Sequence, residues 1–79
     1  MAKKRRFTLR EKVAYHKSRD MHPKKHHLRF GSPKHTYSVG YVDGYENELN
    51  NARSYKTYGK KSLFSYLKGY NRGKRARRR

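Results

Sequence analysis

Two glycine pairs, Gly40 with Gly44 and Gly69 with Gly73, constrain this chain more than any other feature, and each belongs to a Gly-Tyr-x-x-Gly segment. A glycine inside a helix costs roughly 1 kcal/mol relative to alanine. Four of them in so short a chain therefore need a compensating role. Two missing side chains one turn apart leave a groove that admits a facing helix or a nucleic-acid backbone. Glycine also commonly terminates helices, so the same residues could mark helix ends. The repetition favours a shared packing geometry: an antiparallel helical hairpin in which each tyrosine sits on the opposite glycines.

The hydrophobic spacing supports two helices around these glycines. Ser32-Pro33 places a capping hydroxyl before a proline at the first helical position, where its missing N–H costs nothing. A helix over about 33–50 follows, with Tyr37, Tyr41, Tyr45 and Leu49 recurring at every fourth position and Val42 beside them. Asp43, Glu46 and Glu48 fall on or near its other faces. Asn50-Asn51 is a plausible stop, and residues 51–59, ending in Gly59, form the connection. Leu63, Tyr66, Leu67 and Tyr70 then give the clearest amphipathic stripe, on a helix over about 60–75. Upstream, Thr8-Leu9-Arg10-Glu11 fits a capping box and starts a short helix over about 9–19. Pro23 and the charges around it break that pattern, so 20–32 reads as an exposed linker. The expectation is a mainly α protein: a basic arm with a short helix and linker over 1–32, a hairpin over 33–76, and a basic tail at 77–79.

Composition limits how well such a chain can bury itself. Leu, Val and Phe total only 11 of 79 residues and Ile is absent, a deficit that usually leaves a highly charged chain disordered. Eight tyrosines partly offset it, because each ring buries apolar area while its hydroxyl finds a polar partner. The absence of cysteine excludes disulfide scaffolds and thiolate zinc sites and fits a reducing cytoplasm. The basic start is not followed by the apolar stretch that export requires, and no segment approaches the length of a membrane span.

The formal charge is +18, distributed as +10 over residues 1–35, +1 over 36–67 and +7 over 68–79. Two basic arms thus flank a nearly neutral middle. A field of this size is relieved by a polyanion, and neutralising phosphates releases counterions without any sequence readout. The candidate nucleic-acid contacts are Lys3, Lys4, Arg5, Arg6, Arg10, Lys24, Lys25 and Arg29 on the N-terminal side. On the C-terminal side they are Lys68, Arg72, Lys74, Arg75, Arg77, Arg78 and Arg79. Guanidinium forks suit paired phosphate oxygens best. Gly40, Tyr41, Gly44, Tyr45, Tyr66, Gly69, Tyr70 and Gly73 are assigned to hairpin packing or stacking, packing being favoured for the tyrosines because there is little else to bury.

Gly40-Tyr41-Val42-Asp43-Gly44 followed by Tyr66-Leu67-Lys68-Gly69-Tyr70 resembles the helical pair of the bacterial ribosome modulation factor family, across about residues 40–73. That family often uses Trp where this chain has Tyr, and its pattern leaves the first 35 residues unexplained. The resemblance implies a helical hairpin bound to ribosomal RNA, with Tyr41, Tyr66 and Tyr70 in its core or at its RNA face.

Structured RNA is favoured over duplex DNA because Phe7, Tyr15, Phe30 and Tyr70 sit beside basic residues and could stack on unpaired bases. The expectation is therefore a cytoplasmic, ribosome-associated RNA-binding protein, with ribosomal proteins or a nucleic-acid-processing enzyme as further candidate contacts and with no membrane or small-molecule partner. The alternative is a phage- or plasmid-type protein that binds DNA or inhibits a nucleic-acid-processing machine such as a guide-RNA-dependent nuclease. No enzymatic activity or cofactor is expected, since five carboxylates are few and no phosphate-binding glycine loop exists. His22, His26 and His27 do not form a metal site, because Pro23 interrupts their spacing and Lys24 and Lys25 repel a cation. Nothing in the spacing brings His16 to His35 as an acid–base pair.

Overall fold

A computed structural model describes residues 8–78 and shows a mainly α protein, with no strand among those residues. Three helices, α1 (Leu9–Met21), α2 (Pro33–Tyr45) and α3 (Lys60–Arg77), are joined by two short 3-10 segments, Pro23–His26 and Ala52–Tyr58. Lys3, Lys4, Arg5, Arg6, Phe7 and Arg79 lie outside the described residues.

Both helix starts read from the sequence form as their chemistry requires. Thr8 Oγ1 accepts the Glu11 N–H at 3.2 Å, and the Glu11 carboxylate accepts the Thr8 N–H at 3.1 Å, which completes the capping box of α1. Ser32 accepts the His35 N–H at 3.4 Å and Pro33 occupies the first position of α2. The ends differ more. The first helix runs two residues past 19 to Met21, and α3 two past 75 to Arg77. The second stops at Tyr45 rather than about 50, because Asn47 adopts a left-handed backbone (φ 59°). Its N–H returns to the Gly44 carbonyl and that of Glu48 to the Asp43 carbonyl, the paired bonds of a Schellman cap. Leu49, placed on the apolar face by spacing alone, is consequently 84% exposed.

The glycine pairs meet as close packing requires, but the geometry differs from a hairpin with rings on glycines. The second and third helices run parallel: Thr36 lies against Ser62, Gly40 against Tyr66, Gly44 against Tyr70 and Tyr45 against Arg77. The partner of each glycine is a backbone carbonyl, not a ring. A Cβ at Gly40 would lie 2.1 Å from the Tyr66 oxygen, at Gly44 2.1 Å from that of Tyr70, and at Gly69 and Gly73 2.1 Å from those of Tyr37 and Tyr41. No L side chain fits there, so the backbones touch over two turns of each helix. Parallel helices need a return, and residues 46–59 supply it, covering the roughly 20 Å length of a 13-residue helix.

The buried apolar core is small: Val39, Tyr41, Val42, Tyr66 and Tyr70. The Tyr66 ring is stacked between Tyr55 at 5.4 Å and Tyr70 at 6.1 Å. Tyr66 Oη donates to the Asp43 carboxylate and accepts the Asn51 N–H, while Tyr70 Oη donates to the Glu48 carbonyl at 2.8 Å. These hydroxyls fasten the return segment to the helix pair. Burial and the Asp43 hydrogen bond push the Tyr66 phenol above its usual range, so it stays the donor in this arrangement.

Replacing Gly40 with alanine forces the two backbones apart and is expected to cost about 2–3 kcal/mol, lowering the melting temperature of a domain this size by about 10 °C or more. The exposed change Lys68→Ala, beside Gly69, is expected to stay within about 0.5 kcal/mol. Circular dichroism melts of the two variants check this; coincident curves would refute the backbone contact.

Candidate nucleic-acid interface

The five buried polar side chains among the described residues hold the scaffold on which the cations sit, and each has a partner. Thr36 donates to the Ser62 carbonyl at 2.9 Å, and Ser62 donates to the Gly31 carbonyl. The Gly31 N–H donates to His35 Nδ1 at 3.0 Å, so Nε2 carries the proton and donates to the Asp20 carbonyl at 3.1 Å. Gly31 has φ 81°, and a Cβ there would meet the Tyr58 ring at 2.3 Å. The segment 20–32 is thus ordered against the helices rather than being an exposed linker throughout: its 3-10 turn ends at His27 (φ 57°) and Gly31 is buried.

His16 docks α1 onto α2. Its ring stacks on Tyr41 at 4.4 Å and its Nδ1 pairs with Ser38 Oγ at 2.9 Å. His16 and His35 both fasten α1 to α2, His16 through Ser38 and His35 through the Asp20 carbonyl.

This docking opens a groove of about 550 Å³ between the helices, into which Arg19, Lys34, Lys68 and Arg72 bring four cations beside Tyr15 and Tyr37. No carboxylate lines it. Arg72 lies over the Tyr37 ring at 5.9 Å and donates to its hydroxyl at 3.1 Å. Arg19 lies over Tyr15 at 5.2 Å and donates to the Lys34 carbonyl at 3.0 Å, while its Nε is enclosed without a partner. Each tyrosine hydroxyl accepts from a guanidinium and keeps its own O–H to donate. The groove is therefore rich in donors, the complement of a phosphate or a base carbonyl.

Of the sequence candidates, Lys68 and Arg72 enter this groove, and Lys24, Lys25 and Arg29 line a neighbouring depression. Arg10 is exposed on the first turn of α1. Lys74, Arg75, Arg77 and Arg78 lie along the end of α3, Lys74 and Arg75 exposed at its last full turn. Two of these also serve the fold: Arg77 donates to the Tyr45 carbonyl at 2.9 Å, capping α2, and Lys74 lies over the Tyr70 ring at 5.0 Å. Arg19 and Lys34, which also line the groove, are not legible from the sequence as its members. The four-residue spacing of Tyr15 and Arg19 is the sequence signal that pairs them.

Among the described residues no three His, Asp or Glu side chains gather as a metal site, and no helix is long and apolar enough to cross a membrane. The chain matches no known family, curated protein or solved structure.

Burial, reinforced by Arg19 and Lys12, lowers the His16 pKa from 6.5 to about 4. The unfolded chain takes up a proton that the folded one refuses, so this stability is complete above pH 6.5 and lost as pH falls towards 4. The loss approaches about 3 kcal/mol at the lower limit. His16→Gln keeps an amide for Ser38 but cannot titrate. Urea midpoints between pH 7 and 4 are expected to fall less steeply in the variant; parallel profiles would remove His16 as the cause.

Proposed function

We propose that this protein binds structured RNA, and that its site of action is the ribosome. The single observation carrying the reading is the groove where Arg19, Lys34, Lys68 and Arg72 converge beside two tyrosines with no carboxylate among its lining. Mixed-sign surfaces are the norm for soluble proteins; a groove of one sign focuses a field onto a polyanion. The unmatched Arg19 Nε adds to this, since an unmade donor on a guanidinium is a cost that an anionic ligand would offset if the side chain turned towards it. The exposed cations at the end of α3 are further candidates for phosphate contacts.

RNA is preferred to duplex DNA because the arginines sit on aromatic faces, an arrangement suited to splayed strands. The ribosome is preferred among RNA partners on the resemblance of residues 40–73 to ribosome modulation factor. The reading describes a binding protein without catalytic chemistry of its own, acting in the cytoplasm.

Crosslinking followed by sequencing of the attached nucleic acid tests the partner. Ribosomal RNA is expected; plasmid DNA or a single nuclease complex would overturn the reading in favour of the phage- or plasmid-type alternative. The electrostatics have a separate test. Affinity should fall steeply with salt, and the double change Lys68→Ala with Arg72→Ala should reduce the slope of log K against log salt by about 1.4, about 0.7 per phosphate for a single strand. An unchanged slope would exclude the groove as the phosphate site.

A further inference from the structure

Leu28 is a shared wall: on one side lies the cationic groove, and on the other a second depression of about 740 Å³. The second is different in kind. Its floor and sides are the apolar Met21, Pro23, Leu28 and Phe30, and its charged lining is Lys24, Lys25 and Arg29, again with no carboxylate. Met21 is 63% and Phe30 55% exposed, large apolar groups left in water by a chain that has few to spare.

The Phe30 ring is held in place rather than loose. His35 packs against it at 4.8 Å and Tyr58 meets it at 5.8 Å in an edge-on geometry. His35 is fully buried and fixed at both ring nitrogens by Gly31 and Asp20. An exposed aromatic platform, rigidly backed and ringed by cations, is the chemistry that receives an unpaired base while its neighbouring phosphates are neutralised.

We propose that this depression is a base-stacking subsite: an unpaired nucleobase lies on Phe30, flanked by Met21 and Leu28, with Lys24, Lys25 and Arg29 on the adjoining phosphates. The inference rests on the RNA-binding reading above and extends it, since the strand held in the groove crosses Leu28 to reach Phe30. A duplex keeps its bases stacked and paired and cannot fill the depression. An acidic apolar peptide would match the same charges, but continuity with the groove across Leu28 favours a nucleic-acid strand.

The chain contains no tryptophan, so Phe30→Trp introduces a single indole at the platform, whose emission is excited selectively over that of the eight tyrosines. Four probes are compared at fixed salt: a ten-nucleotide single-stranded RNA, an abasic strand of equal length, an RNA duplex, and a Glu/Leu-rich peptide. The base-bearing strand should quench the emission of the Phe30→Trp variant and the other three should not. Phe30→Leu should weaken the base-bearing strand about 5- to 150-fold, the value of one stacked base, while leaving the abasic strand and the salt slope unchanged. If the Leu variant melts early, the wild-type preference for the base-bearing over the abasic strand decides. Equal affinity for those two strands, or quenching by the peptide alone, would overturn the subsite. Failure of every nucleic acid to bind at low salt would instead overturn the RNA-binding reading itself.

Discussion

The contact on which the fold depends is backbone against backbone. At Gly40, Gly44, Gly69 and Gly73 the missing side chains let the helices approach until each glycine rests on the carbonyl of a tyrosine in the opposite helix. The arrangement is reciprocal, because the carbonyl that meets a glycine belongs to the tyrosine three residues before a glycine of the other pair. Both helices accordingly carry the same eight-residue pattern, Tyr-x-x-Gly-Tyr-x-x-Gly, at 37–44 and 66–73. Such approach gains dispersion over many atoms and weak Cα–H···O contacts, the currency of small-xxx-small helix pairs. Neither gain needs aliphatic side chains. A chain with so few of them can therefore form a packed helix pair.

A parallel pair imposes a second requirement, a long return. Residues 46–59 bring few apolar side chains besides Tyr55, which stacks on Tyr66, and the tyrosine hydroxyls help hold them: Tyr66 through the Asn51 N–H, Tyr70 through the Glu48 carbonyl. The aromatic side chains thus act twice, with the ring in the core and the oxygen on the loop. The contact between α1 and α2 follows similar logic, with His16 stacked on Tyr41 and hydrogen-bonded to Ser38. Where aliphatic packing would be adaptable, these polar partners are directional, and they fix the first helix at one position relative to the groove.

Local chemistry made much of this legible. The Thr8 and Ser32 caps, the Pro33 start, the three helices and the glycine–tyrosine contact surface all follow from short-range rules. Direction did not, because glycine pairs at a spacing of four fit parallel and antiparallel partners alike, and connection length alone did not decide between them. The stop of α2 is not legible because Asn50-Asn51 is the more conspicuous signal in the sequence, whereas Asn47 takes the left-handed position. Lys68 and Arg72 were legible as cations but not as neighbours of Arg19 and Lys34, since only the docking of α1 brings the four together. His35, Thr36, Ser38 and Ser62 look like surface residues in the sequence, and their burial depends on a hydrogen-bond network that no periodicity encodes.

The few carboxylates explain why so strongly cationic a surface survives folding. Glu11 is used in the α1 cap, Asp43 by Tyr66, and Glu46 by Lys17 at 3.2 Å. Burial, with Asp43 and Glu46 nearby, raises the Asp20 carboxyl above its ordinary range. None lines either depression. The exposed Lys17–Glu46 pair is worth at most about 1 kcal/mol, so the carboxylates chiefly position segments and do little to offset the repulsion of +18. That repulsion opposes the compact state. On the reading proposed above, a polyanion in the groove would relieve it, and ligand and fold would reinforce one another in proportion to how much better the folded form binds. Under that proposal the marginal core and the excess of cations are two aspects of one arrangement, in which an anionic partner would supply the charge balance that five carboxylates do not.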